Sequence, residues 1–120
     1  MLPGGYQPDT NLMDWLYLMI AGMFEVGFTT LLKLSNGLTR IGPTIGFLTL
    51  GCLSFWFLQL AMRSIPLGTA YAVWTGIGAF GTAIIGIVYF RDPLTAWRIF
   101  FLAMLLAAVI GLRLVTPPRE

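Results

Sequence analysis

Glu25 is an acid set eleven residues into an apolar run that begins at Trp15, and no other charged residue lies between Asp14 and Lys33. At ~1.5 Å of helical rise per residue, its carboxyl falls near the middle of a hydrocarbon layer ~30 Å thick. A carboxylate is costly at that depth, and such groups mark ion or substrate binding or proton relay. The competing reading is a neutral glutamic acid bonded between helices, but Gln or Ser makes a fixed contact more cheaply. Helical spacing puts Gly22, Glu25, Phe28, Thr29 and Leu32 on one stripe, with the acid between a small residue and a hydroxyl. Thr29 either orients the carboxyl or, like Thr30, back-bonds to the carbonyl four residues earlier.

A second stripe carries Tyr71, Trp74, Thr75 and Gly78. Aromatic faces attract cations, and Tyr and Trp also donate hydrogen bonds to carboxylates. Such stripes are more often packing, and Trp often marks a membrane interface. Paired with a mid-membrane acid, however, these two rings suggest a cage for an organic cation.

The elements that must position these groups follow from the charge pattern. Of 120 residues, 58% are hydrophobic and 10% charged, and the mean hydropathy is +0.84, too apolar for a soluble domain of this size. Residues 41–62 and 64–90 carry no charge, and 15–32 carry only Glu25. A fourth run to Val115 has Arg98 and Arg113 near its ends, where long side chains snorkel to the interface. The fold class is therefore all-α and integral to the membrane, with four spanning helices at about 14–33, 43–62, 66–90 and 95–115. Continuous apolar runs without alternating polarity argue against a β-barrel. Turn signals at 35–37, 42–43, 64–66 and 92–93 separate the helices, and the loops are too short for another domain.

Segment 1–13 reads as a flexible polar tail, with Met13 as an alternative start, and 116–120 as a C-terminal tail. The N-terminal segment has neither a basic n-region nor an A-x-A-like site, which argues against a signal peptide. Cys52 is alone in an apolar run, and with no His a transition-metal site within one chain is not expected. No phosphate-binding G-x-x-x-x-G-K-[ST] is present, so no cofactor is expected and the energy source is an ion gradient. Basic residues spread among helix ends exclude a nucleic-acid partner. Arg63, Arg113 and Arg119 fall on one membrane face, and Lys33, Arg40, Arg91 and Arg98 on the other. That near-equal split either is overruled by another signal or lets the chain insert both ways up.

Gly76, Gly78 and Gly81 crowd the third helix, where they serve either a hinge or tight packing. Ala103, Ala107 and Gly111 repeat at four-residue intervals, a small-residue face suited to packing between copies. Four helices leave little room for an enclosed pathway with two gates. Two copies are therefore expected to combine, bringing two Glu25 carboxyls to one site where they titrate together. A proton and a cation cannot both neutralise one carboxylate, so competition for it couples outward cation movement to inward proton movement.

The segments A-G-M-F-E-V at 21–26, S-N-G-L-T-R at 35–40 and I-P-L-G-T-A-Y-A-V-W-T-G-I-G-A at 65–79 resemble the small multidrug resistance family, over about 14–115. The resemblance implies an antiparallel homodimer of dual-topology, multi-pass subunits in the cell membrane, exporting small organic cations against protons. It implies proton and substrate binding at Glu25, site lining at Tyr71, Trp74 and Ser54, and a bend of the third helix at Gly76-Ile77-Gly78. The third-helix motif is similar to the guanidinium-exporter branch. That branch usually has Trp three residues after the acid, where this chain has Phe28. Thr29, Thr30 and Ser54-Phe55-Trp56 look closer to the quaternary-ammonium branch.

The functional expectation is a proton-coupled antiporter for guanidinium-type ions, with Gly22, Phe28 and Thr29 also lining the site. The alternatives are a multidrug exporter of hydrophobic quaternary ammonium compounds, a non-transporting membrane subunit, and an obligate heterodimer partner.

Overall fold

The computed structural model describes the backbone of residues 8–116 and the side chains of 12–116. It contains α1 (Pro8–Leu34), α2 (Ile41–Ala61), α3 (Leu67–Tyr89) and α4 (Ala96–Val115), and no strand among the described residues. All four are long and apolar enough to cross a membrane, α1 over Leu12–Leu34. The expected tail over 1–13 needs correction: α1 begins six residues before position 14, and only 1–7 lie outside the described residues. Pro8 suits the first turn because its missing N–H would have no intrahelical acceptor there. Of the expected C-terminal tail, 117–120 lie outside the described residues.

The turns rest on local hydrogen bonds. After α1, Asn36, Gly37 and Leu38 have φ of 52°, 72° and 68°. Ser35, fully buried, organises this left-handed run: its hydroxyl donates to the Leu32 carbonyl at 2.7 Å and accepts from the Leu38 amide at 3.0 Å. The Thr39 and Arg40 amides both donate to its carbonyl. At the end of α3, Arg91 adopts φ 59°, and the Phe90 and Asp92 amides both reach the Gly86 carbonyl at 3.0 Å. This left-handed residue closes the helix as a C-terminal cap. The Thr95 hydroxyl caps α4 by accepting from the Arg98 amide at 3.2 Å.

α1 is central, packed against α2 on one side and α3 on the other, while α4 packs on α3. Contacts between α1 and α3 advance together along both helices, so the two run parallel. Gly22 receives the Ile77 side chain, Gly78 receives the Glu25 carboxyl and Gly81 receives Val26. One turn further Thr29 and Thr82 meet through their hydroxyls at 2.7 Å. On α3's other side Gly76 receives Val109 of α4. Missing Cβ atoms bring the helix backbones close, where dispersion and interhelical hydrogen bonds drive association.

The tightest packing lies at one end of the bundle. Trp15, Leu18 and Ala21 of α1, Leu58 and Ala61 of α2, Ile65, and Ala70, Val73 and Trp74 of α3 form the buried core. The Arg113 guanidinium covers the Trp15 ring at 4.8 Å on that side. No residue of α4 is buried, and large apolar side chains such as Ile41, Val88, Trp97 and Leu114 point outward. An outward apolar surface is what a bilayer solvates.

Candidate functional site

Glu25 lies midway along Leu12–Leu34, where α1 turns this face toward α3. Its carboxyl occupies the space a Cβ at Gly78 would fill, and Oε1 is buried without a hydrogen-bond partner. A carboxyl oxygen held out of water without a donor is costly, so the position favours a proton or a cation as its partner.

Beside it a hydrogen-bonded chain links three helices. The Trp74 indole N–H donates to Ser54 Oγ at 3.0 Å, and Ser54 donates to the Ala21 carbonyl at 2.7 Å. In helix geometry Ala21 is the acceptor for Glu25's own amide, so this chain ends on the turn that carries the acid. Ser54 is completely buried, and both roles of its hydroxyl are used. Tyr71 and Trp74 lie 5.7 Å apart between ring centroids, Trp74 and Phe55 5.5 Å, Phe55 and Phe28 6.4 Å, and Phe28 and Phe47 5.9 Å. These rings make a continuous aromatic wall across the bundle, with Tyr71 at its exposed edge and Trp74 buried. Phe47 and Phe55 are members the sequence reading did not place; only a long-range helix pairing reveals them.

Several expected positions take on a more specific role. Gly22 is filled by Ile77, so it is a packing notch and not an open wall of the site. Thr29 does not bond the Glu25 carboxyl; its hydroxyl approaches the Glu25 and Val26 carbonyls at 2.9 and 3.0 Å and meets Thr82. Thr30 back-bonds to the Val26 carbonyl at 2.8 Å. The neutral hydroxyls thus saturate the backbone locally, the alternative that spacing alone left open. Phe28 parts from its stripe neighbours and faces α2, whereas Glu25 and Thr29 face α3. α3 runs as one helix through Gly76 and Gly78, and the glycines at 76, 78 and 81 receive the side chains of Val109, Glu25 and Val26. Ala103 and Ala107 are exposed, and a Cβ at Gly111 would meet nothing within 4 Å, so this stripe is uncovered in the single subunit.

Beyond the threonine pair lies a cavity of about 140 Å³ lined by Thr29, Thr30, Lys33, Thr82, Ile85, Gly86, Phe90 and Asp92. Lys33 Nζ stands 5.8 Å from the Phe90 ring centroid. Thr82 continues the stripe of Tyr71 and Gly78, and a hydroxyl at that helical spacing was the available signal for it.

The family model for the small multidrug resistance protein matches residues 13–105. A guanidinium exporter of Yersinia pestis is 48% identical over 104 residues, 87% of this chain and 100% of that protein. Guanidinium exporters of Proteus vulgaris and Salmonella typhimurium are 42% and 44% identical over 104 residues, again 87% of this chain, and 100% and 99% of those proteins.

Proposed function

Because the chain belongs to the small multidrug resistance family of multi-pass inner-membrane transporters, we propose that it exports guanidinium-type cations in exchange for protons and that Glu25 binds both. The single observation that carries this reading is the mid-membrane carboxyl of Glu25, with a buried and unpartnered Oε1 beside an aromatic wall. Guanidinium is planar with N–H donors around its rim, so a carboxylate in its plane and ring faces above it match its chemistry. Tyr71, Trp74, Phe28 and Ser54 line or brace that site. Protonation of Glu25 expels the cation, and cation binding expels the proton.

Two subunits related by opposite insertion bring two Glu25 carboxyls together. The uncovered Ala103, Ala107 and Gly111 face of α4 supports contact between copies. The chain acts as a transporter without a resident cofactor and not as an enzyme. A second reading, export of hydrophobic quaternary ammonium ions, draws support from Phe28, whose ring packs on Phe47 and Phe55 and presents no N–H to the acid.

A proteoliposome screen of the purified chain tests both readings. Proton movement on adding guanidinium or guanylurea supports the first. Movement of tetraalkylammonium alone replaces it with the second.

A further inference from the structure

The two ends of the bundle treat Glu25 differently. Toward the start of α1 its face is closed: Leu18 and Ala21 are fully buried, Ile77 fills the notch at Gly22, and Ala70 and Val73 seal α3. These side chains are apolar, and the polar atoms buried on that side, Asp14 Oδ2 and Thr75 Oγ1, have no hydrogen-bond partner and so form no chain to the acid. Toward the other end the next rung is polar. Thr29 stands one turn beyond Glu25, Thr82 one turn beyond Gly78, and their hydroxyls meet at 2.7 Å. Behind them lies the cavity of about 140 Å³, which reaches Lys33 and Asp92 at the end of the bundle.

We propose that the Thr29–Thr82 pair and the cavity behind it form a hydrated passage by which the exchanged proton reaches Glu25 from the face bearing Lys33 and Asp92. A water occupies roughly 30 Å³ and needs two or more polar partners. The cavity holds several waters by volume, and the hydroxyls of Thr29, Thr30 and Thr82 and the Asp92 carboxylate line it. A hydroxyl donates and accepts at once, so it continues a hydrogen-bonded water chain that a methyl group would break. Thr29 has three oxygen neighbours for one proton. It satisfies the backbone by donating to a carbonyl, or turns to Thr82, without leaving either helix. The charged groups facing the passage are Lys33, Asp92 and Glu25 itself. Lys33 is drawn aside over the Phe90 ring, and the Asp92 amide is tied to the Gly86 carbonyl, which holds its carboxylate at the cavity wall.

This inference rests on Glu25 as the exchanging acid, and the test separates the two. Thr82→Val keeps the side-chain volume and removes the hydroxyl, whereas Thr82→Ser restores it. In proteoliposomes where the native chain exchanges guanidinium for protons, Thr82→Val should slow exchange roughly tenfold. Its equilibrium guanidinium affinity should stay within about twofold of the native value, and Thr82→Ser should recover most of the rate. Thr82→Val exchanging at the native rate, or valine and serine failing equally, overturns the passage. A second measurement is independent of transport: in a Cys52→Ser background, an impermeant thiol reagent should modify Thr82→Cys far faster than Val73→Cys. Equal protection of both cysteines overturns the passage even if Glu25 proves to exchange.

Discussion

The Trp74 indole spends its N–H on Ser54 Oγ at 3.0 Å and not on the carboxyl of Glu25. Ser54 passes the contact to the Ala21 carbonyl at 2.7 Å, so the ring is locked by α2 and α1 together. Trp74 therefore contributes a fixed aromatic face, while the acid keeps its lone pairs for a ligand. Ser54 acts through Trp74 as a positioning residue.

Ser54→Ala should leave the indole without an acceptor and loosen that face. Interhelical hydrogen bonds in membranes are worth about 1 kcal/mol, so guanidinium affinity should fall severalfold and thermal stability modestly. Trp74→Phe should be the more damaging single change, because it also loses ring area. Titration calorimetry on both single variants and the double variant measures the coupling. Strictly additive losses would argue against a shared role.

Gly78→Ala should disable the site with little effect on insertion. The added Cβ would fall on the Glu25 carboxyl and force it aside. Gly68→Ala is the control, because nothing lies within 4 Å of its Cβ position. Comparing guanidinium exchange by the two reconstituted variants checks this. A Gly78→Ala protein as active as Gly68→Ala would mean that the carboxyl does not need that notch.

The isolation of Glu25 in an apolar run, the four spanning helices and the loop punctuation were legible in the sequence, because charge and turn chemistry are local. The early start of α1 was not. Pro8, Asp9 and Thr10 look like tail residues until they are seen as the first turn of a helix that extends beyond its apolar part. Helical spacing puts Gly22, Phe28 and Thr29 at similar angles to Glu25. That spacing does not reveal that the stripe is divided between two neighbours, with Phe28 against α2 and the others against α3. Thr29's partner is 53 residues away, and the donor role of Trp74 depends on a serine of another helix. Such pairings are properties of helix packing, and the periodicity of one helix does not contain them.

Phe28→Trp should narrow the substrate range. The larger indole at this position removes apolar room against Phe47 and Phe55 and adds an N–H donor to the α2-facing part of the aromatic wall. The variant should retain guanidinium exchange and lose singly substituted hydrophobic derivatives in the same proteoliposome assay. Unchanged selectivity would remove Phe28 from the determinants.

Opposite insertion of the two copies should appear as mixed topology. Lys33, Arg40, Arg91 and Arg98 on one face nearly balance Arg63, Arg113 and Arg119 on the other. A cysteine introduced at the C-terminus, in a Cys52→Ser background, should be labelled in sizeable fractions from both sides of the membrane. Two lysines added there should tip the balance and lower activity. Labelling from one side alone, with the chain expressed by itself, would contradict a dual-topology homodimer.

The shared use of Glu25 by proton and cation is tested most directly by guanidinium-driven proton movement in liposomes holding Glu25→Gln beside the native chain. Gln preserves size and hydrogen bonding but can neither release a proton nor carry negative charge. The native chain should move protons against the guanidinium gradient. Glu25→Gln should insert, assemble and show no coupled movement, and Glu25→Asp should exchange with a displaced pH profile. Coupled exchange retained by Glu25→Gln would contradict the assignment of Glu25 as the common site.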